Sequence, residues 1–139
     1  MATNLNTSDN QMRDVLAQAR TIAVVGHSDN PGRTSYQIAR YLRNAGYTVY
    51  PVNPTVREID GQPSYASLAD VPEPIDIVNV FRRSEYVADV VDEAIDVGAK
   101  AIWTQLGVVD NAAGQRALEA GIDVAMNRCI KVEHARLGV

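Results

Sequence analysis

The run TIAVV (21–25) has no polar alternation, the pattern of a strand whose two faces are both covered by protein. Four more short apolar runs follow it: YTVYPV (47–52), IDIVNVF (75–81), AIWT (101–104) and DVAM (123–126). Helical patterns fill the intervals. Met12, Val15, Leu16 and Ala19 recur at helical spacing behind a Ser8 or Asp9 cap. Ile38, Ala39, Tyr41 and Leu42 mark a helix over about 35–45 that Gly46 ends. Val87, Val90, Val91, Ala94 and Ile95 form a stripe behind a Ser84 cap, with Gly98 as its stop. Further helices are expected around 111–120 and 130–137. Strands alternating with helices of this length specify an α/β fold, a doubly wound five-stranded parallel sheet with helices on both faces. The expected strand order is 3-2-1-4-5, in a single domain spanning 1–139 with 1–7 a frayed tail. Residues 55–74 read as less regular, with a turn at Gly61-Gln62-Pro63 and a short helix near 67–70.

Composition narrows the function. At 139 residues, 46% hydrophobic and 22% charged, the chain can bury a proper core. A net charge of −4 argues against a broad grip on nucleic acid. No run approaches the ~18 apolar residues of a membrane span, and the polar start MATNLNTSDNQ lacks the order of a signal peptide, so a cytoplasmic protein is expected. One cysteine excludes an internal disulfide and a multi-cysteine zinc site, and the two histidines are scattered, so no metal is expected.

In doubly wound sheets ligands lie beyond the carboxyl ends of the strands, where the strand order reverses. The segments to weigh are therefore 26–35, 53–55, 81–83, 105–107 and 127–129. Gly26 directly after the first strand permits a sharp turn or a close ligand approach, and the helix start beyond it is an anion site. Thr34 and Ser35 add hydroxyls there and Arg33 adds a charge suited to phosphate. On the loop alone, a phosphate site and a plain turn capped by Ser35 are equally good readings. The spacing G-H-S-D-N-P-G departs from G-x-G-x-x-G, and the second strand ends in Val52-Asn53-Pro54 without the ribose-binding acid. The P-loop fails too: one residue too many lies between Gly26 and Gly32, and Arg33 stands where lysine belongs. Phe81 with Arg82 and Arg83 suits a purine and its phosphates, or simply ends the core. Trp103 reads as core. Cys129 lacks a neighbouring base, although His134 lies five residues on, so a passive thiol is expected. His27 could donate to a phosphate or carbonyl.

Six blocks then add a resemblance. VVGHSDNPGRTSYQIARYL, GYTVYPVNP, YASLADVP, DIVNVFRR, GAKAIWTQLGV and AGIDVAMNRCIKVEH are together similar to the small stand-alone CoA-binding proteins. Those resemble the N-terminal CoA-binding domain of the succinyl-CoA synthetase α subunit. The resemblance implies a Rossmann-like domain holding coenzyme A or an acyl-CoA. It puts Gly26, His27, Ser28, Arg33, Thr34 and Ser35 at the diphosphate and Asn53 and Pro54 near the adenosine 3′-phosphate. Phe81 and Arg82 would flank adenine and its phosphates, and Gln105 would line the pantetheine path. Neither His27 nor His134 sits in the context of the synthetase's phosphohistidine, so its ligase activity is not expected to carry over. The expectation is a binder of a CoA-type small molecule without chemistry of its own, with no nucleic-acid or membrane partner and no indication of oligomeric state. A small NADP-dependent oxidoreductase, with Arg33 or Arg57 on the 2′-phosphate, and a ligand-free interaction module are the alternatives.

Overall fold

A computed structural model describes residues 2–139. Helix α1 (Asp9–Gln18) starts where the Ser8 hydroxyl accepts the Gln11 N–H, and leads into β1 (Thr21–Val25). Helix α2 (Thr34–Asn44) and β2 (Thr48–Val52) follow. A small hairpin, β3 (Glu58–Ile59) and β4 (Gln62–Pro63), precedes β5 (Ile77–Val80). Helix α3 (Val87–Val97), β6 (Ala101–Thr104), α4 (Asn111–Glu119), β7 (Asp123–Ala125) and α5 (Ile130–Arg136) complete the chain. The five long strands form one parallel sheet between two apolar layers. Ile22, Val24, Ile77 and Trp103 pack with α1, α2 and α5 on one face. Val78, Val80 and Ile102 pack with α3 and α4 on the other. The doubly wound, single-domain α/β class thus agrees with the sequence.

The strand order does not. It runs β2-β1-β5-β6-β7, or 2-1-3-4-5 in the numbering of the expected strands, rather than 3-2-1-4-5. The reason is visible in β2. Pro51 pairs with Val24 of β1 inside the ladder, and a proline lacks the N–H needed by a strand paired on both sides. Strand β2 therefore takes the edge, with Thr48 exposed, while the fully buried β1 and β5 lie side by side at the centre. The chain must cross back over β1 after β2, and residues 53–76 make that crossing. Asp60 and Gly61, both at positive φ (51° and 81°), form the tight turn of the β3–β4 hairpin, so the turn sits one residue earlier than Gly61-Gln62-Pro63.

The N-terminal segment is also better held than a frayed tail. Thr3 N–H donates to Asp123 Oδ1 at 2.8 Å, and Asn4 bridges Val124. The Asn6 amide donates to Met126 O at 2.7 Å and accepts from Met126 N at 3.1 Å. Leu5 is buried against the core beside it. These contacts cover the outer edge of β7 with groups that satisfy its backbone. Met1 lies outside the described residues.

Candidate functional site

Strands β1 and β5 are neighbours, but the chain leaves them toward opposite faces, β1 into α2 and β5 into α3. Their carboxyl ends therefore diverge, and a cleft opens between them. It is an open cleft of about 510 Å³ lined by Gly26, Ser28, Arg33, Thr34, Ser35 and Phe81. Six of the eleven residues singled out in the sequence meet here.

Gly26 is required by the protein itself. Its φ is +87°, and a Cβ there would lie 2.6 Å from the Phe81 carbonyl oxygen. The β1 and β5 ends approach this closely because Phe81 N–H donates to Val25 O at 2.8 Å, while Gly26 N–H donates to Val52 O at 2.9 Å and ties the same residue to β2. The loop beyond is tied at each step. Ser35, buried on the second residue of α2, accepts the Ser28 N–H at 2.9 Å, so its hydroxyl braces the loop rather than capping the helix. Asn30 N–H donates to Ser28 Oγ, and Gly32 N–H to Asn30 Oδ1.

Helix α2 consequently starts without a side-chain cap, its N-cap being Arg33. The N–H groups ahead of the first helical bond, Gln37 N to Arg33 O, belong to the turn that carries Thr34 and Ser35 into the cleft. Such groups, with the helix dipole behind them, stabilise an anion by about 0.3–1 kcal/mol at an exposed site and more when partly buried. Arg33 is exposed beside them. Across the cleft stands half-buried Phe81, packed in part on the apolar layer beneath it; Arg82 lies outside the cleft lining, its guanidinium 4.2 Å over the Tyr86 ring. The arrangement offers N–H and hydroxyl donors, the exposed charge of Arg33 and the apolar side chain of Phe81 in one cleft.

The other expected residues sit elsewhere. His27 is fully buried on the far side of its loop. Its Nδ1–H donates to Ser28 O at 2.8 Å, and burial, reinforced by nearby Arg43, holds its pKa below the usual imidazole value. Asn53 spends its side chain on the protein: Nδ2 donates to His27 O at 2.9 Å, and Oδ1 accepts from Thr55. Pro54 is exposed and does not line the cleft. Gln105 lies at the end of β6, one strand beyond Phe81 and so about 10 Å from the glycine loop at ordinary strand spacing. With the expected order it would have neighboured the switch point; the observed order gives that position to Phe81. The Trp103 indole is buried and donates to Arg128 O at 3.1 Å, which pins the loop after β7. Cys129 packs against the apolar layer, and the His134 Nδ1 meets the Tyr41 hydroxyl at 2.8 Å, so the histidine is oriented toward Tyr41 and not the thiol.

Sequence reasoning missed the partners that hold this site. The Tyr36 hydroxyl donates to the Asp60 carboxylate, tying α2 to the hairpin turn, and Arg43 reaches back from the last turn of α2 to His27. The Asp60-Gly61 pair was a readable hairpin signal. The direction of Arg43 had no signal in the sequence.

Similarity to known proteins identifies the family of the chain. The family described as CoA binding domain matches residues 20–135. An uncharacterized protein, YneT of Bacillus subtilis (strain 168), is 44% identical over 130 residues, covering 94% of this chain and 96% of its own. The ADP-forming acetate–CoA ligase I of Archaeoglobus fulgidus is 37% identical over 106 residues, which cover 76% of this chain and 14% of the ligase. The structure of a hypothetical protein from Pyrococcus horikoshii OT3 superposes with a TM-score of 0.91 at 37% identity, covering 95% of this chain and 93% of that one. The chain belongs to the CoA-binding domain family, whose fold also occurs as one part of ADP-forming CoA ligases.

Proposed function

We propose that the cleft between β1 and β5 binds coenzyme A or an acyl-CoA, and that the chain holds this ligand without consuming it. The observation that carries the reading is the uncapped first turn of α2, opening beside Gly26 and facing Phe81. A diphosphate fits that turn, since it accepts several N–H bonds and carries the charge the helix dipole favours. Arg33 lines the cleft where a further phosphate would pass, Arg82 would reach one by leaving the Tyr86 ring, and Phe81 would offer a face for adenine. The pantetheine arm would then run along the rim over Gln105 toward residues 127–129. The ligases of the family are several times longer than this chain, and their acyl-transfer chemistry is not part of this proposal. A binding role suits a rim whose thiol and imidazole, Cys129 and His134, are turned to separate partners.

Calorimetric titration with CoA, acetyl-CoA, NADPH and ATP tests the reading. Saturable binding of CoA or acetyl-CoA in preference to the other two is expected. Saturable NADPH binding with no response to CoA would overturn it.

A further inference from the structure

We propose that His27 and Arg43 are a positioning pair for the glycine loop, and that they make ligand binding at the cleft depend on the protonation of a buried imidazole. The ligand in this proposal is that of the CoA reading; the geometry of the pair stands apart from it.

His27 is fully buried, yet it belongs to the loop that frames the cleft. A carbonyl oxygen can only accept, so the 2.8 Å contact with Ser28 O puts the ring proton on Nδ1. That leaves Nε2 as an acceptor, and what faces it is Arg43 Nη1 at 3.4 Å. The Tyr36 ring packs against the imidazole in a T-shaped pair, 6.0 Å between centroids. Around His27, then, α2 contributes Arg43 and Tyr36, and the hairpin contributes Asp60. The end of β2 contributes the uncharged Asn53, bonded to His27 O.

The charges in this cluster do not favour a second proton on the ring. Arg43 forms no salt bridge among the described residues, and its Nε and Nη2 are buried without a protein partner. The Asp60 carboxylate, which accepts from the Tyr36 hydroxyl, favours a proton on the ring, but less strongly than Arg43 opposes it. A proton on Nε2 would replace an acceptor by a donor and set two cations 3.4 Å apart in a buried place. Uptake of the proton therefore requires the ring to leave, which releases the Ser28 carbonyl and the loop with it. Burial and the Arg43 charge keep His27 neutral at neutral pH, and the loop is held in that state.

The test is CoA affinity from pH 8 to 5 for wild type, His27→Asn and Arg43→Met. Asparagine keeps a donor near Nδ1 but cannot be protonated. The second ionisation of a phosphomonoester, near pH 6, affects every protein alike, so the comparison between variants isolates the imidazole. Below its folded pKa, wild type is expected to lose affinity by up to tenfold per pH unit relative to His27→Asn. In Arg43→Met the acid branch should move up toward the free imidazole value of about 6.5, because the neighbouring cation is gone. A merely structural pair would shift affinity equally at every pH, and parallel curves for the three proteins would overturn the proposal. Amide NMR of the free protein supplies an arm that needs no ligand. The resonances of residues 26–33 should follow the His27 titration in wild type and stay flat in His27→Asn. If CoA fails to bind, that arm still decides the coupling, and loop resonances indifferent to pH would refute it.

Discussion

Replacing Gly26 by alanine should destabilise the fold as well as alter the cleft, and the structure sets the size of the effect. The residue sits at φ +87°, where a non-glycine side chain costs about 1–2 kcal/mol. The new Cβ would also lie 2.6 Å from the Phe81 carbonyl oxygen, an atom of the backbone held in the β1–β5 ladder. Relieving such an overlap adds about 1–3 kcal/mol. Together these amount to roughly 2–5 kcal/mol in a fold whose total stability is on the order of 5–15 kcal/mol. At about 3–5 °C per kcal/mol for a chain of this size, Tm should fall by roughly 6–25 °C. Gly107 is the control: its φ is +82°, yet nothing lies within 4 Å of a Cβ there, so Gly107→Ala carries the backbone part alone. Thermal and urea unfolding followed by circular dichroism measure both variants. A Gly26→Ala protein no less stable than Gly107→Ala would refute the argument that Phe81 dictates the glycine. A bulkier Gly26→Val variant that lost CoA binding would accordingly report on the fold before it reported on the ligand.

Other outcomes follow from single contacts. Asp76 accepts the Arg20 and Thr21 N–H groups at 2.8 and 3.0 Å and meets Lys100 at 3.4 Å. Burial alone would raise its pKa, but these bonds outweigh it and hold the carboxyl below its ordinary value. Its contribution is therefore present above about pH 4 and lost as pH falls through the depressed folded pKa. Urea midpoints compared between pH 7 and pH 3 should show a smaller acid loss in Asp76→Asn than in wild type, and an equal loss would exclude Asp76 as a source. Asn6→Ala removes both side-chain bonds to Met126 and leaves that backbone partly unpaired, for about 1–3 kcal/mol, visible as a lower urea midpoint and faster amide exchange at Met126. Arg82→Ala should weaken CoA binding roughly ten- to a hundredfold, with a smaller loss at high salt, while leaving Tm nearly unchanged.

The parts of the fold legible from sequence are those set by local pattern. TIAVV announced a strand covered on both faces, and β1 is buried throughout. Ser8 and the helical stripes behind it and behind Ser84 reappear in α1 and α3, although a 3₁₀ turn over Ser84–Tyr86 precedes α3 proper. Strand order is a global property, and the expected one failed, although Pro51 already marked the second strand as an edge. Leu5 was a single apolar residue in a polar tail; its burial depends on β7, more than a hundred residues away. At the site, the glycine loop and Phe81 were legible because strand ends are where a doubly wound sheet opens. The burial of His27 was not, because the direction of a loop side chain is set by partners, Arg43 and Tyr36, that only tertiary packing brings there.

The central claim is that CoA occupies the cleft between β1 and β5 with its diphosphate on the first turn of α2. Backbone amide NMR during a CoA titration tests it most directly. The largest shifts are predicted at Gly26, Ser28, Thr34, Ser35 and Phe81, the residues that line the cleft, saturating together with one dissociation constant. Saturable shifts confined to another surface would contradict the claim, for example the groove of about 820 Å³ along the outer edge of β2 lined by Tyr47, Tyr50 and Tyr65.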